Sequence, residues 1–323
     1  MRAPVDEIWI EQSTVRAPVR EDESLTSVAI RLAGTLGYNA PGELVAEMLE
    51  IQDGDLASLP VWRDRAGLFG ILNGMTEAEL AAGLVLPANE DLRSRVRLGF
   101  LILDRDQLET ARMRIAPGQL ARDLAQHGEC WHRRTWSIRC LPADPATGEV
   151  LIDRCPSCAT PLWWRDLVAV SQCPNEECRL PFERVTPMVL RDREREWIKP
   201  LGDLLGPDGT ARERLRSSLP PEVRSWPEAD ILDAVDWLAT LEDRLAGRPA
   251  VTLGLENRAR GLSRLQGWPG SVDALLERHW AIDSGAGRLA RLRAAAFAEA
   301  AVQDLRSLRS RSLIGDVVRE VRG

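Results

Sequence analysis

Four cysteines within residues 155–178 carry the most specific chemistry in this sequence. They form two pairs, Cys155-Pro156-Ser157-Cys158 and Cys173-Pro174-Asn175-Glu176-Glu177-Cys178. A gap of two or four residues lets one turn direct both thiolates of a pair to a common point, and the stretch between the pairs is long enough for a β-hairpin. Four thiolates at tetrahedral positions close the coordination sphere, as Zn²⁺ prefers in structural sites. The spacing therefore predicts one structural zinc ion bound by Cys155, Cys158, Cys173 and Cys178.

Two disulfides are the alternative for the same four cysteines. Disulfides persist in oxidising compartments, and residues 1–7 lack the apolar segment that follows the basic residue of a signal peptide. No apolar run reaches the length of about 18 residues expected of a membrane span. We therefore predict a cytoplasmic protein without a membrane segment, in which the thiols stay reduced and bind metal.

Composition and charge limit the classes of function. The chain has 323 residues, of which 44% are hydrophobic and 28% charged, as in globular proteins of two or three domains. The formal net charge is −7, whereas nucleic-acid-binding proteins usually carry a basic surface. Any contact with DNA must therefore come from a local patch, and protein partners are at least as well supported.

The elements that must position the cysteines begin with a pair of predicted helices. Residues 1–20 show no sustained period and are predicted to form an extended arm. Apolar residues then recur at helical spacing, with Ser24 as the N-cap and Gly37 as the stop, and Pro41 suits the first turn of a second helix. This outline is typical of a helix-turn-helix, and we assign residues 21–115 to an N-terminal domain of that type.

The remainder of the chain divides into a cysteine-rich part and a helical part. A second helical pair is broken at Asn73-Gly74 and resumes with a capping box from Thr76 to Glu79. Residues 116–186 hold all six cysteines and short apolar alternations that predict hairpins of a zinc ribbon. The C-terminal domain, 187–323, is predicted to contain helices at 188–198, 210–218, 228–247, 255–266, 271–281 and 287–320. The predicted fold class is mainly α with a small β zinc ribbon, in a multi-domain chain.

Three segments resemble the TniQ family, the target-site adaptors of transposons that use an AAA+ ATPase regulator, including CRISPR-associated transposons. Residues 22–38 (DESLTSVAIRLAGTLGY) resemble the family's opening motif, ESL-S-x-x-x-RLA-x-x-x-G. Residues 151–162 (LIDRCPSCATPL) are similar to its zinc knuckle, L-x-x-x-CPxC-x-x-x-L, and residues 265–270 (LQGWPG) to its L-x-x-WP segment. The resemblance spans roughly residues 20–280, and the order of the motifs is more specific than any one of them.

The resemblance also implies an earlier zinc site, from which this sequence departs. The family has a CPxC pair, a tryptophan and a CxxH pair before the knuckle. With Trp136 aligned on that tryptophan, the first pair falls on Ala116 and Gln119, and the second on Asp144 and Thr147. Alanine cannot bind zinc, and Gln, Asp and Thr form a poor tetrahedral set. We therefore predict that the first zinc site is lost and the second is intact.

Two further cysteines and two histidines leave an alternative open. Cys130, Cys140, His127 and His132 offer two thiols and two imidazoles for a replacement site, although their interleaved spacing is awkward for a ribbon. Free cysteines in a hydrophobic core are the other interpretation.

Six residues are candidates for contact with a partner or with DNA. Adjacent tryptophans on a strand point to opposite faces, so at most one of the pair at 163–164 is available to a partner. The candidates are Arg31, Tyr38, Asn39, Trp163, Trp164 and Arg165.

We expect no enzymatic activity from this chain. Its three histidines stand in no recognisable catalytic motif, and no GxxxxGKS/T phosphate-binding motif occurs. The resemblance implies a non-catalytic adaptor for target selection in transposition. Such an adaptor links a targeting module, for example a CRISPR effector complex, to an AAA+ regulator on target DNA, and the family forms homodimers.

Two other functions remain open at this point. One is a sequence-specific DNA-binding protein that reads an attachment site directly, and the other is a transcription regulator of the helix-turn-helix type. The candidate recognition helix, residues 41–50, carries Glu43, Glu47 and Glu50, which would repel phosphate. This disfavours deep insertion of that helix into a DNA groove.

Overall fold

The chain divides into two compact units, Met1–Val189 and Leu190–Gly323. The computed structural model describes residues 16–49, 56–57, 59–61, 63–88, 94–246, 248, 253–282 and 311. The described residues contain ten α-helices and a three-stranded antiparallel sheet, which confirms the mainly α prediction. The first unit includes both segments predicted as separate domains, 21–115 and 116–186. None of the helices in the described ranges combines the length and apolar character needed to cross a membrane.

Local capping signals set the helix ends in the N-terminal part of the first unit. As predicted, the Ser24 hydroxyl accepts a hydrogen bond from the N–H of Ser27, and Gly37 ends the helix in the left-handed conformation, with φ of 81°. The Thr76 hydroxyl and the Glu79 carboxylate form the predicted capping box of a later helix. The helices here are α1 (Leu25–Leu36), α2 (Pro41–Met48), α3 (Arg63–Leu72) and α4 (Glu77–Gly83).

The sheet lies before the cysteine region and not within it. Its strands are β1 (Val85–Pro87), β2 (Arg95–Leu98) and β3 (Leu101–Asp104), in the order β1-β2-β3. The prediction of a β zinc ribbon is therefore wrong in its placement of the strands. Between residues 105 and 189, all of which are described, pairing is limited to isolated bridges. Pro161 and Pro181 occupy two of these bridges and lack the N–H that would extend a ladder.

One continuous core joins the N-terminal helices to the cysteine region. After the sheet, α5 (Pro117–His127) packs against the short turn at Phe182–Arg184. Its C-cap, Gly128, takes a positive φ of 76° and ends the helix before the buried segment that follows. Cys155 and Cys173 belong to this hydrophobic core. Its largest fully buried side chains include Leu25, Leu32, Phe69, Met113, Ile115, Leu120, Trp136 and Phe182.

The second unit is helical, as predicted. The first of its helices extends past the predicted end at residue 198. Pro200 lies inside this helix and does not end it. The predicted helix at 287–320 lies almost entirely outside the described residues. The five described helices are α6 (Asp192–Leu205), α7 (Gly209–Ser217), α8 (Glu228–Leu245), α9 (Leu255–Gln266) and α10 (Gly270–Ile282).

Candidate metal centre

The first cysteine pair lies on a tight turn that folds the backbone back on itself. The N–H of Cys155 donates to the carbonyl of Thr160, and the N–H of Ala159 donates to the carbonyl of Cys155, each at 2.9 Å. Ala159 takes a positive φ of 59°, which lets the chain reverse directly after Cys158. The bridge between Arg154 and Pro161 closes the turn at its base.

The second cysteine pair lies on a wider turn with the same design. The N–H of Cys173 donates to the carbonyl of Leu180 at 2.9 Å, and Arg179, directly after Cys178, takes a positive φ of 45°. The Asn175 carbonyl stabilises this turn, because it accepts hydrogen bonds from the N–H groups of Cys178 and Arg179, at 3.0 and 2.9 Å. Both turns therefore present their two thiols on one side.

The four thiols converge on one point. The sulfurs of Cys155 and Cys178 lie 3.7 Å apart and those of Cys158 and Cys173 lie 3.6 Å apart, and all four lie within 4.8 Å of one another. A tetrahedron with metal–sulfur bonds of about 2.3 Å has edges of about 3.8 Å. The donor set and its dimensions therefore fit a tetrahedral, thiolate-bound metal ion.

Burial and hydrogen bonding treat these thiols differently. Cys155 and Cys173 are buried, whereas Cys158 and Cys178 are half-buried. The side chain of Thr160, 3.1 Å from the Cys158 sulfur, stabilises the thiolate and lowers the pKa of Cys158 to about 6. Burial raises the pKa of Cys155 and of Cys173. Cys158 is thus more easily deprotonated than the two buried thiols, which must release protons when the metal binds.

A bound metal ion in this site would be structural. Four protein thiolates fill a tetrahedral coordination sphere and leave no position for water or substrate. Loss of the metal would leave Cys155 and Cys173 as buried thiols inside the hydrophobic core of the first unit. The metal site and the folding of this unit are therefore coupled.

Asp144 and Thr147, two residues of the predicted lost site, form a third turn of the same kind. The N–H of Asp144 donates to the carbonyl of Glu149 at 2.8 Å, and the N–H of Gly148 donates to the carbonyl of Asp144 at 2.7 Å. Gly148 takes a positive φ of 72°, as Ala159 does in the first cysteine turn. One carboxylate oxygen of Asp144 accepts from the N–H of Thr147 at 2.9 Å and from its hydroxyl at 3.0 Å. In this turn, hydrogen bonds to a carboxylate hold the geometry that metal–thiolate bonds would hold.

Ala116 and Gln119, the other two residues, lie at the start of α5. Ala116 is its buried N-cap residue, and the Gln119 side-chain amide donates to Asp123 at 2.8 Å. The Gln119 backbone N–H donates at 3.0 Å to the carboxylate of Glu149, which places a negative charge at the positive end of the helix dipole. Glu149 therefore joins α5 to the Asp144 turn. Loss of the first zinc site stays a prediction.

Cys130, Cys140, His127 and His132 are not gathered into a metal site. The Cys130 thiol donates to the carbonyl of Leu120 at 3.2 Å, and its burial raises its pKa to about 12. His132 is fully buried between Trp136 and Trp164, with ring centroids 5.5 and 4.8 Å away. Among the described residues, the four-cysteine cluster is the one group of three or more His, Cys, Asp or Glu side chains placed to hold a metal ion.

Two of the six contact candidates point into the protein. The Arg31 side chain is 8% exposed and forms ion pairs with Glu23 and Glu129, and Trp164 is 4% exposed. The Tyr38 hydroxyl donates to Glu47 at 2.5 Å, and Asn39 is exposed beside it. The candidates with open surface next to the cysteine turns are Trp163, which is half-buried, and Arg165, whose side chain is 73% exposed.

One feature of the sequence is common to all three turns and does not depend on the spacing of cysteines. Asp144-Pro145, Cys155-Pro156 and Cys173-Pro174 each place a proline directly after the first residue of a turn. Thr160 and Glu149 were not singled out from the sequence, because their roles depend on backbone reversal at Ala159 and on the approach of α5.

Comparisons with protein families and with curated proteins add no support to the motifs. No protein-family model matches the chain, and no curated protein matches its sequence. The resemblance to the TniQ family therefore stays an expectation from the sequence that rests on residues 22–38, 151–162 and 265–270.

Proposed function

We propose that this chain is a non-catalytic adaptor for transposition target selection, of the TniQ type, with one structural Zn²⁺ held by the four-cysteine cluster. With its metal ion, we call this cluster the four-cysteine cage. The observation that carries the proposal is the cage itself. It forms at the segment that resembles the family's zinc knuckle, residues 151–162, and shares one core with the helix whose sequence resembles the opening motif, α1. Two motifs distant in sequence thus meet in one compact unit.

The chemistry of the cage supports a binding role and not a catalytic one. A closed thiolate shell offers no Lewis-acid position and no metal-bound water. His132 is fully buried, and its pKa is lowered to about 3 by that burial, so it remains neutral and out of reach of a substrate. We propose a cytoplasmic protein that acts through its surfaces.

The partners follow from the resemblance. They are an AAA+ ATPase regulator, a targeting module that in some systems is a CRISPR effector complex, and target DNA within the assembly. A second copy of the chain is expected as well, as a homodimer. Direct reading of DNA by α2 is the weaker alternative, since Glu43 and Glu47 are exposed on that helix and would repel phosphate.

A pull-down with the AAA+ ATPase regulator of the cognate transposon tests the proposal. We expect metal-loaded protein to retain the ATPase at micromolar concentration, and the Cys158→Ala variant, which breaks the cage, to retain much less. Cys140→Ala is the matched control, because Cys140 is a buried cysteine outside the cluster. Absence of any complex with the wild-type protein would refute the adaptor role.

A salt-titrated binding assay on the protein alone distinguishes the alternative. A preferred duplex sequence, bound without partners and lost steeply with salt, would replace the adaptor with a direct DNA reader.

A further inference from the structure

Beside the cysteine turns, two arginines lie against one tryptophan, and two further arginines belong to the same surface region. We call this surface the Arg–Trp platform, and it consists of Arg112, Arg114, Arg139, Trp163 and Arg165. The guanidinium carbons of Arg112 and Arg165 lie 5.7 and 6.0 Å from the centroid of the Trp163 ring, within range of cation–π attraction. We propose that the Arg–Trp platform binds single-stranded nucleic acid, with guanidinium groups on the phosphates and a base stacked on the planar groups around Trp163.

The platform is fixed by the backbone. Arg112 and Trp163 face each other across an isolated bridge, and the N–H of Met113 donates to the carbonyl of Leu162 at 2.7 Å. Met113 and Leu162 are fully buried, so the alternate residues Arg112 and Trp163 are directed to the opposite, open side. The ring and the guanidinium group are therefore held in place before any ligand arrives, which lowers the entropy cost of binding.

Three carboxylates pair with these arginines, and only one of the three is buried. Glu109, whose side chain is 8% exposed, accepts from Arg112 at 3.4 Å and from Arg139 at 3.2 Å. The Arg139 and Arg165 side chains are 54% and 73% exposed. Asp153 pairs with Arg112 at 2.5 Å and Asp166 pairs with Arg165 at 3.5 Å, and the side chains of these two carboxylates are 37% and 46% exposed. Four arginines therefore face three carboxylates, which leaves a local excess of one positive charge on a chain whose formal net charge is −7. This is a local basic patch of the kind that an acidic chain needs to contact phosphate.

Arg114 supplies a separate sign of an unfilled anion position. Its guanidinium group donates to the carbonyls of Ile138, at 3.0 Å, and of Leu141, and within the described residues no carboxylate forms an ion pair with it. Burial lowers the pKa of Arg114, while the charges of Cys140, Asp153 and Glu109 act in the opposite direction. A half-buried cation whose direct hydrogen bonds go to carbonyl oxygens gains from a nearby anion.

Single-stranded nucleic acid fits this surface better than an acidic peptide or a duplex. Bases of a single strand can stack on an indole ring and on guanidinium planes, whereas a peptide carboxylate uses the charges alone. In a duplex the base faces are already stacked, so Trp163 would add little. The inference goes beyond the proposed adaptor role and does not depend on it, since it concerns the protein without partners.

The second unit supplies a matched control pair. Arg193 lies 5.0 Å from the ring centroid of Trp197, its side chain is 76% exposed, and Trp197 is half-buried. It pairs at 3.9 Å with Glu256, and Asp192 and Glu194 flank it in sequence. One arginine–tryptophan pair is therefore reproduced at this position.

The experiment measures binding of metal-loaded, full-length protein to a labelled single strand of about 20 nucleotides, to its duplex and to poly-glutamate, over a salt series. We expect the single strand to bind most tightly. The Arg139→Glu/Arg165→Glu variant should lose at least about tenfold in affinity, and its salt slope should fall by about one to two, since each phosphate contact on a single strand contributes about 0.7. Trp163→Leu should weaken single-strand binding by about fivefold or more, as expected for loss of one stacked base.

The controls should leave binding unchanged. Arg193→Glu and Trp197→Leu repeat the same chemical changes at the other site, and bound metal and melting temperature verify that each variant is folded. Equal binding of duplex or poly-glutamate, equal losses in the control variants, or no binding at about 100 μM protein, the weak end of the usual range for non-specific contacts, would each overturn the proposal. The ATPase is not present in this assay, so its failure is distinguishable from failure of the adaptor role.

Discussion

The carboxylate of Asp144 accepts a hydrogen bond of 2.7 Å from the indole N–H of Trp136 inside the core of the first unit. Both side chains are buried, and the other carboxylate oxygen accepts from the N–H groups of Ala146 and Thr147. Asp144→Ala would leave a buried indole N–H and two turn donors without partners. We expect it to lower the free energy of unfolding by about 3 kcal/mol, measured by urea denaturation of metal-loaded protein.

Asp166→Ala is the control for this substitution. Asp166 is exposed and its pairing with Arg165, at 3.5 Å, lies on the surface, so its loss should change the free energy of unfolding by less than about 0.5 kcal/mol. Similar effects of the two substitutions would show that the Asp144 turn does not depend on its carboxylate.

Metal content tests the four-cysteine cage directly. We expect elemental analysis of purified protein to find one equivalent of metal, with zinc as the metal. Cys158→Ala should remove nearly all of it, because three thiolates and an open position bind metal much more weakly than a closed tetrahedral site. Cys130→Ala and Cys140→Ala should retain the full equivalent, since neither cysteine belongs to the cluster.

Two equivalents in the wild-type protein would contradict loss of the first site. If the second equivalent disappeared in Cys130→Ala or Cys140→Ala, these cysteines would be ligands of a second metal site. Retention of metal by Cys158→Ala would contradict the assignment of the four cysteines as the metal ligands.

The helix ends of the first unit could be predicted because their signals are local. Ser24, Gly37 and the Thr76–Glu79 box act on backbone groups within a few residues, and the structure shows each in its expected role. The cysteine cage could also be predicted, since the ligand spacing itself restricts where the thiols can point. In both cases the information lies in residue type and short spacing.

The placement of the strands could not be predicted in the same way. Each strand of the sheet has three or four residues, too few for a period of two to stand out against chance. Cysteine turns suggested hairpins, but the flanking prolines prevent ladders from forming there.

The roles of Arg31 and Trp164 depend on residues far away in the sequence. Arg31 pairs with Glu129, which lies 98 residues away, and Trp164 packs against the buried ring of His132. Patterns within one helix or one turn contain no information on such contacts. Candidate surface residues chosen from sequence therefore divide into exposed and internal ones only when the fold is known.

The crossing of α8 and α9 requires a glycine at position 261. A Cβ atom there would lie 2.1 Å from the carbonyl oxygen of Val235 and 3.0 Å from the amide nitrogen of Ala239. Because both are backbone atoms of α8, neither can move aside without shifting the helix. Gly261→Ala should therefore lower the free energy of unfolding by about 3 kcal/mol, measured by thermal or urea denaturation.

Gly270→Ala provides the comparison for the helix crossing. Gly270 opens α10, and apart from its chain neighbours and the backbone of the same helix, no heavy atom lies within 4 Å of the position that a Cβ atom would occupy there. Alanine at this position should therefore be neutral or should stabilise by up to about 1 kcal/mol. Equal destabilisation at both positions would mean that helix contact at Gly261 is not the cause.

His132 makes the stability of the first unit depend on pH. Burial, together with the charges of Arg133 and Arg114, lowers the pKa of His132 from 6.5 to about 3. The folded state therefore binds fewer protons than the unfolded state between these two values. Stability from this group is fully present above pH 6.5 and is lost as pH falls, by about 1.4 kcal/mol per pH unit.

Replacing His132 by phenylalanine removes the titrating group and keeps a ring between Trp136 and Trp164. Its level of stability can change for several reasons, so the diagnostic quantity is the slope of the free energy of unfolding between about pH 5 and 7. We expect His132→Phe to flatten that slope by about one proton and His127→Phe, at an exposed histidine, to leave it unchanged. An unchanged slope in His132→Phe would show that His132 takes up its proton in the folded core, and the rings of Trp136 and Trp164 could not then enclose it as tightly as the structure indicates.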